Sequence, residues 1–471
     1  MFILSLSQDS FSITKHPSKT SDRGHKMRSK PIITILLMSL LFCSTVRADE
    51  KPLNLKEAIG IALENNNGIR AFRSSLQAQG EDIGIARSSL LPKVSFEERF
   101  LRTTNPTYAF MAKLNQQRFE EQDFAISSLN NPNPTNDFQT IFAFEQPLFV
   151  KNAYIGLDMA RTEYSAKNED YKRKKEEVAV RVVEAYLGVA TAREFFRVRE
   201  WAVKDAQEHL RIAEVRNKAG LGLYSDILRA STAVTEAEQR LVSAQKNLTV
   251  AKRALGLLLG RDDSVEIVNE TPDFPMLGIE YYTTASLSRN DIKSLELRSE
   301  NAKKEVRLAE AGYFPVIALG GSYQLNDPDK PFGSSGESWS VLAFLRWELF
   351  NGMKREHERS KAKYKVTETE EYLQGAKKAV SFRVYSSYLT VEEARKNLDL
   401  SGAALKTAEE GTRLVKVRYE KSLSPLVDLL DAQVSLDNSR ASVVARGNEY
   451  RMAIATLSYE SGTLLQDLHI D

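Results

Sequence analysis

Residues 171–213 read YKRKKEEVAVRVVEAYLGVATAREFFRVREWAVKDAQEHLRIA, and the spacing of their apolar side chains sets the architecture of the chain. Apolar or small residues recur at steps of three, four or seven, the period of a helix that packs in a coiled coil. They are Tyr171, Val178, Val182, Ala185, Val189, Ala192, Phe196, Val203, Ala206, Leu210 and Ala213. A second stripe beside the first predicts a helix with neighbours on both sides; it comprises Val180, Val183, Leu187, Ala190, Val198 and Trp201.

The same stripe returns 202 residues later. Residues 373–415 read LQGAKKAVSFRVYSSYLTVEEARKNLDLSGAALKTAEEGTRLV, with Ser387 and Thr412 as the two polar substitutions. Because the register is kept throughout, the chain is predicted to contain a duplicated unit. A helix over about 153–219 would be on the order of 100 Å long at ~1.5 Å per residue, far longer than a globular domain needs.

Turn signals divide each long helical segment into an antiparallel hairpin. The first copy breaks at the tripeptide GLG, residues 220–222, and resumes as a helix over about 225–259. In the second copy, Ser424 is predicted as the N-cap and Pro425 as the first residue of the returning helix.

A shorter helix and a pair of strands are predicted ahead of each hairpin. Asn54 and Glu57 have the spacing of a capping box at the start of the first short helix. After each short helix a proline marks the change from the helical period to strict alternation of apolar and polar side chains. The strand pairs are predicted over about 93–148 and 316–349.

Two of the three tryptophans, Trp339 and Trp347, are predicted on the last strand, eight residues apart. At ~3.3 Å per residue this separation is about 26 Å, which suits aromatic girdles at the two edges of an outer-membrane strand. An ordinary amphipathic hairpin is the alternative. Four strands cannot close a barrel, and an open edge in lipid would leave backbone groups unpaired, so several chains would have to complete it.

Residues 1–48 are predicted to be a cleavable export signal. The apolar run PIITILLMSLLF, residues 31–42, follows three basic residues and precedes a cleavage site at Ala48. Met27 is an alternative start. The only cysteine, Cys43, lies inside the signal and lacks the small preceding residue that lipoprotein processing needs, so no lipid anchor is expected.

Composition and motifs argue against several functional classes. The 471 residues are 42% hydrophobic and 27% charged, as in a globular protein. After the signal, 58 Lys and Arg face 61 Asp and Glu, so no nucleic-acid partner is implied. The five histidines are scattered, and no phosphate loop, nucleophile elbow or metal-ligand cluster is present in the sequence. The sequence therefore predicts a protein without catalytic residues, cofactor or metal site.

These patterns predict a mainly α fold with a small β part, in two tandem repeats. The predicted segments are the signal (1–48), the first repeat (49–260, with its long hairpin at about 153–259), a linker (261–291), the second repeat (292–460, with its hairpin at about 353–460) and a C-terminal tail (461–471).

The order and duplication of four motifs resemble the TolC family of outer-membrane efflux and secretion channels. The motifs are LNLKEAIGIALENNNGIR (53–70), RSSLLPKVSF (87–96), EQPLF (145–149) with its echo WELFNG (347–352), and RYEKSLSPLVDLLDAQVSLDNSR (418–440). The resemblance implies a homotrimer in which four strands per subunit close one twelve-stranded barrel in the outer membrane of a Gram-negative bacterium. It also implies a periplasmic α-barrel beneath, with the linker 261–291 in a belt around it.

As a function, the resemblance implies the exit duct of a tripartite efflux or type I secretion system. The duct would contact outer-membrane lipid and work with a periplasmic adaptor and an inner-membrane pump. The alternative from another class is a soluble periplasmic coiled-coil scaffold or adaptor protein.

The resemblance also assigns residues to a periplasmic aperture. It implies that Asp428 and Asp431, on one helix face, project into the narrowed mouth of the tunnel and form rings by threefold symmetry. The alternative is that these carboxylates stabilise a helix N-terminus. Asp226, 202 residues before Asp428, is a weaker candidate.

Tyr419 matches a tyrosine that helps to hold the closed state in the family. The arginine that the family carries five residues later is replaced here by Ser424, and the nearby Arg418 and Lys421 are the candidates to compensate. The hairpin turns match the tips that meet the adaptor in the family; simple helix termination is the alternative. The tip residues are Ala219, Gly220, Leu221, Lys421, Ser422 and Leu423.

Overall fold

The computed structural model describes residues 52–268 and 276–470, which belong to one compact unit. The predicted export signal and residues 269–275 of the predicted linker lie outside the described residues. No helix of the described part is both long and apolar enough to cross a membrane.

Long helices dominate the fold, as predicted. In chain order the helices are α1 (Leu55–Asn65), α2 (Asn67–Ser88), α3 (Pro106–Asn115), α4 (Ile126–Asn130), α5 (Lys151–Lys218), α6 (Tyr224–Leu258), α7 (Ile279–Ser286), α8 (Asn290–Ala311), α9 (Lys354–Glu420), α10 (Leu426–Ser461) and α11 (Leu464–Asp467). The strands are β1 (Lys93–Thr103), β2 (Thr135–Phe149), β3 (Val316–Asp327) and β4 (Gly336–Arg346). At ~1.5 Å per residue, α5 and α9 are each about 100 Å long.

The structure reproduces the duplication of the sequence. Helix α6 begins at Tyr224 and α10 begins at Leu426, so these two helices keep the offset of the apolar stripe. Before the strands the offset is larger, because α2 begins at Asn67 and its counterpart α8 begins at Asn290. The difference comes from the first strand connection, which holds α3, α4 and a short 3₁₀ helix, none of which the sequence patterns predicted.

Local signals explain where several helices start. The predicted capping box at α1 is confirmed, since Asn54 Oδ1 accepts from the Glu57 N–H at 2.8 Å and Glu57 Oε2 accepts from the Asn54 N–H at 2.9 Å. The predicted cap of α10 is wrong by one residue. Pro425 occupies the N-cap position with extended backbone, Leu426 is the first helical residue, and no side chain caps the helix. Ser424 therefore does not cap it.

The four strands form one antiparallel sheet in the order β1-β2-β3-β4. The register puts most of the large apolar side chains on one face, the aromatic face: Val94, Phe96, Phe100, Phe138, Phe142, Phe144, Tyr323, Trp339, Val341 and Leu345. The opposite, polar face carries Ser95, Glu97, Arg99, Asp137, Gln139, Ser322, Gln324, Asn326, Ser338 and Ser340, together with the apolar Leu101, Ile141, Leu342 and Phe344.

The prediction that β4 carries both tryptophans is wrong for one of them. Trp339 lies within β4, but the strand ends at Arg346, one residue before Trp347. The indole N–H of Trp347 donates instead to the Tyr313 carbonyl oxygen at 3.1 Å, because the chain there already turns toward the helices.

The largest core surrounds the middle of α5. Helix α1, the end of α6, the start of the predicted linker, α7 and the last turns of α10 pack there; the buried members include Ile59, Val182, Leu255, Ile267, Tyr282 and Ile454. Leu53 forms a parallel bridge with Ile267, and its N–H donates to the Glu266 carbonyl at 2.9 Å. Segments distant in sequence thus form a belt around the long helices.

Candidate functional site

The two hairpin turns have the same backbone geometry. Gly220 in the first turn and Ser422 in the second, which occupy equivalent positions of the two repeats, both adopt the left-handed conformation, at φ +72° and +63°. Glycine tolerates this region freely, whereas for serine it has a steric cost of about 1–2 kcal/mol. In both turns a backbone N–H then donates to a carbonyl five residues back, from Leu221 to Arg216 and from Leu423 to Arg418, at 2.8 Å.

A small core joins the two tips. Leu426 and Leu429 on the first turns of α10 are buried against Ala213 of α5 and Ala230 of α6, together with Tyr419. The returning helix of the second hairpin therefore packs directly on the first hairpin near its end. Alanines at the contact let the helices approach closely.

Arg216 of α5 bridges the tips of the two hairpins. One guanidinium nitrogen donates to the Tyr419 carbonyl oxygen; the other donates to Ser422 Oγ and to the Leu221 carbonyl oxygen, both at 3.1 Å. The guanidinium carbon also lies 4.4 Å from the centroid of the Tyr419 ring, a cation–π contact. One cation thus ties the second turn to the first.

The Tyr419 side chain is buried through its ring rather than held by its hydroxyl. It is 2% exposed, and its hydroxyl oxygen has no hydrogen-bond partner among the described residues. Burial raises the pKa of the phenol, although Arg216 opposes the shift. The contacts of Tyr419 with Arg216 therefore involve its ring and its carbonyl.

The predicted aperture carboxylates lie on α10, on the side away from the small core. Asp428 and Asp431 are exposed and form no ion pair within the described chain. Leu426, before them, and Leu429, between them, are buried. Asp226 at the start of α6 is half-buried. Asp428 and Asp431 thus share one exposed face of α10, and Asp226 occupies the equivalent first turn of α6 in the first hairpin.

The suggested substitutes for the missing family arginine do not hold Tyr419 within the described chain. Arg418 and Lys421 are exposed, and no hydrogen bond or ring contact joins either side chain to Tyr419 in the part of the chain that the structure describes. Arg216 holds the tyrosine instead. The repeat contains a signal for it, since Arg216 is the first-copy counterpart of Arg418.

A second polar contact between the hairpins lies further from the tips, around His209. His209 of α5 is 3% exposed, and its Nε2 lies 3.3 Å from Gln433 Oε1 of α10. The Gln433 amide donates to Asp205 and to Asp437, each at 3.0 Å, and Arg440 donates to Asp205 at 3.1 Å. Burial lowers the pKa of His209 and raises that of Asp437. No local sequence pattern reveals this network, because it joins α5 to α10, two helices that are distant in sequence.

At the opposite end of the long helices, the aromatic face of the sheet is uncovered. Trp339 is 76% exposed, and Val94, Phe96, Phe100, Val341 and Leu345 are also exposed. Trp347 lies just beyond the strand and is exposed as well. Soluble proteins rarely leave so many large apolar side chains in contact with water.

The fold and these surfaces agree with the comparison to protein families. The model of the family described as outer membrane efflux protein matches residues 58–261 and 281–463. The chain belongs to the outer membrane efflux protein family. The resemblance that the sequence motifs suggested is confirmed.

Individual relatives and a solved structure are similar to this chain over most of its length. Protein CyaE of Bordetella pertussis is 26% identical over 88% of this chain and 84% of its own length. Outer membrane protein OprJ of Pseudomonas aeruginosa is 23% identical over 86% of this chain and 82% of its own length. The crystal structure of the outer membrane protein VceC from Vibrio cholerae superposes with a TM-score of 0.70 at 17% identity, over 88% of this chain and 95% of that one.

Family membership establishes the setting of the chain. It is an outer-membrane efflux or secretion channel with a large periplasmic part. Channels of this kind are homotrimers that act with a periplasmic adaptor and an inner-membrane pump, as the resemblance implied. The alternative of a soluble periplasmic scaffold does not fit an outer-membrane family.

Proposed function

We propose that the chain forms a passive conduit whose periplasmic end is held narrow by the contact between its two hairpin tips. The observation that carries this proposal is the bridge from Arg216 to Tyr419 and Ser422. It joins the second hairpin, which carries Asp428 and Asp431, to the first. Breaking the bridge would free the second tip to move.

The aperture itself consists of Asp428 and Asp431. Both carboxylates are exposed on α10 and without partners in the described chain, while the buried Leu426 and Leu429 anchor the helix from behind. Threefold symmetry would turn them into two rings of three carboxylates each. Like charges close together repel each other and make full ionisation costly. A bound cation offsets this repulsion, so such rings attract cations.

The sheet would close a twelve-stranded barrel with two other subunits. Within the described chain, β1 and β4 each have a partner on one side only, so each subunit offers two edges for pairing. The aromatic face fits lipid and the polar face fits a water-filled lumen. Trp339 and Trp347 would lie toward the two membrane interfaces.

The tips are the proposed contact with the adaptor. Leu221 and Leu423 are each 66% exposed at the ends of the two turns. Exposed leucines at the same place in both copies suit an apolar contact with a partner. Ala219, Gly220, Lys421 and Ser422 complete these tips.

We also infer that the chain performs no catalytic step. The support is its membership of a channel family, in which movement of substrate is driven by partners. The chain would then supply a path and a gate, and the pump would supply the energy.

Conductance of the purified trimer in planar bilayers tests the aperture. The double substitution Asp428→Ala and Asp431→Ala should weaken block by divalent cations added on the periplasmic side at least severalfold. Glu238→Ala, which removes an exposed carboxylate from α6, is the control and should leave the block unchanged. Block as strong in the double variant as in the wild type would refute the assignment.

A further inference from the structure

The connection between β1 and β2 is a folded insertion rather than an open loop. Helix α3 begins with Asn105 as its N-cap and Pro106 at its first position. Phe110, Phe119 and Phe124 then stack edge to face, with ring centroids 4.8 and 5.1 Å apart. An ion pair of 2.6 Å joins Lys113 to Asp123 and lowers the pKa of that carboxyl through their hydrogen bond. The insertion is therefore held together by an aromatic cluster and an ion pair of its own.

The insertion is fastened to the polar face of the sheet. Gln116, at the end of α3, is 1% exposed and donates to Asp137 Oδ1 and to the Asn136 carbonyl, both at 2.8 Å. Asp137 in turn accepts two bonds of 3.0 Å from the Asn326 amide. Asp137 and Asn326 belong to the polar face, so α3 lies on that side, at the end of the strands away from the long helices.

A glycine permits the close approach. Gly336, opposite Asn326 at the start of β4, is so near α3 that a Cβ atom would collide with the Asn115 carbonyl oxygen. Ala109 and Ala112 of α3 are buried. Small residues on both sides thus let α3 lie directly on the sheet.

The opposite side of α3 is apolar and uncovered. Met111 is 51% exposed, and Tyr108 and Leu114, three residues to either side, are also exposed. Phe124 and Ile126 extend the exposed apolar surface beyond the helix. A surface loop in water would not be expected to gather these side chains without a partner.

We propose that this apolar surface meets the same surface of the two partner subunits and closes the outer mouth of the duct with a three-part plug. The proposal rests on the proposed function, because it requires the polar face of the sheet to line the lumen. It names a second, apolar constriction at the end of the duct opposite to the acidic rings.

The dimensions favour a second copy of the chain as the occupant. Twelve strands about 4.8 Å apart and tilted by about 40° enclose a barrel about 24 Å across between backbone atoms. A helix about 10 Å in diameter lying on the inner wall reaches the region of the threefold axis. Three symmetry-related helices therefore come into contact there and bury Met111 and its neighbours.

Cysteine cross-linking tests the contact directly, because the chain contains no cysteine after Cys43 in the export signal. In isolated outer membranes, Met111→Cys treated with a short bismaleimide should give covalent dimers and trimers. Val341→Cys, on the aromatic face, is the control and should stay monomeric. Reference variants pair Ser340→Cys on β4 with Ser95→Cys, Glu97→Cys, Arg99→Cys or Leu101→Cys on β1, all on the polar face. They span the stagger of about five residues that a tilt of about 40° gives between neighbouring subunits, and one of them should link subunits wherever the barrel closes.

The outcomes separate the two proposals. Linkage of a reference variant without linkage through Met111→Cys would overturn the plug and leave the barrel standing. Absence of linkage in Met111→Cys and in every reference variant would overturn the barrel and the plug together.

A conductance measurement tests the constriction. In an Arg216→Ala background, which removes the restraint at the periplasmic end, replacement of residues 107–130 by a short glycine-serine turn should raise conductance severalfold. Gly336→Val, which displaces α3 without a deletion, should raise it in the same direction. Unchanged conductance in both variants would show that the insertion does not obstruct the duct.

Discussion

Arg216 combines several interactions in one side chain. Its hydrogen bonds to carbonyl and hydroxyl oxygens involve a charged donor, and each such bond contributes about 1.5–3 kcal/mol. Its position over the Tyr419 ring adds about 0.5–2 kcal/mol. Lysine could not reproduce the planar fork that reaches Tyr419, Leu221 and Ser422 together. The family resemblance pointed to Tyr419, but the partner had to be found in three dimensions.

Tyr419→Phe is predicted to leave the tip intact. The hydroxyl is buried without a partner in the described structure, so its removal abolishes no bond and should raise the apparent Tm slightly or leave it unchanged. Tyr419→Ala removes the whole ring and should cost about 3–5 kcal/mol of unfolding free energy. Thermal unfolding of the purified trimer followed by circular dichroism measures both. A large destabilisation by Tyr419→Phe would mean that the hydroxyl has an essential partner.

At the scale of elements, the sequence predicted periodic features well and long-range contacts poorly. The long helices and strand pairs follow from repeating side-chain patterns, which are local. Leu426 and Leu429, three residues apart on one face of α10, are an example of the helical pattern. The contact of Gln433 with His209 joins two helices that are distant in sequence, and no local pattern encodes it. The insertion holding α3 was likewise missed, because its aromatic cluster forms between short segments without a strong period.

The seam between α5 and α10 is predicted to weaken in acid. Burial lowers the pKa of His209, so the folded protein holds the neutral imidazole more strongly than the unfolded chain does. The stabilisation that neutral His209 gives the folded protein is therefore fully present above about pH 6.5, the pKa of histidine in the unfolded chain. It is lost as the pH falls below that value. The charged and polar groups around it are Asp205 and Glu208 of α5, Lys416 of α9, and Gln433, Asp437 and Arg440 of α10.

The comparison of Tm values measured between about pH 7.5 and 5.5 checks this prediction. Over this range the wild type should lose more unfolding free energy, and so show a larger fall in Tm, than His209→Gln, which keeps a neutral polar side chain at the position. His357→Gln, on the exposed start of α9, is the matched control and should behave like the wild type. Equal acid sensitivity in wild type and His209→Gln would contradict the account.

For the whole molecule, the belt around α5 connects the two repeats. Arg289, between α7 and α8, has a side chain only 2% exposed. It pairs with Asp291 at 2.8 Å and with Glu460 near the end of α10 at 3.0 Å, and it also donates to the Glu460 carbonyl oxygen. The resemblance implied a belt in this region, whereas the ion pairs that hold it could not be deduced from spacing.

Arg289→Ala is predicted to destabilise the belt without changing the aperture. Loss of one member of a buried ion network leaves Glu460 uncompensated and costs about 3–5 kcal/mol. Thermal unfolding should show this loss. The cation block of the reconstituted channel should stay as in the wild type, since Arg289 lies far along the chain from both tips. A changed block with unchanged Tm would argue against a structural role.

The central claim is that the contact between the hairpins keeps the periplasmic end narrow, and the conductance of Arg216→Ala in planar bilayers tests it most directly. In channels that carry the glycine-serine turn in place of residues 107–130, so that the outer constriction does not mask the change, loss of the bridge to Tyr419 and Ser422 should raise single-channel conductance at low voltage severalfold. Arg211→Ala, which removes an exposed arginine paired with Glu208 on the same helix, serves as the control and should leave conductance unchanged. Conductance that Arg216→Ala leaves unchanged in a folded trimer of this background would contradict the account.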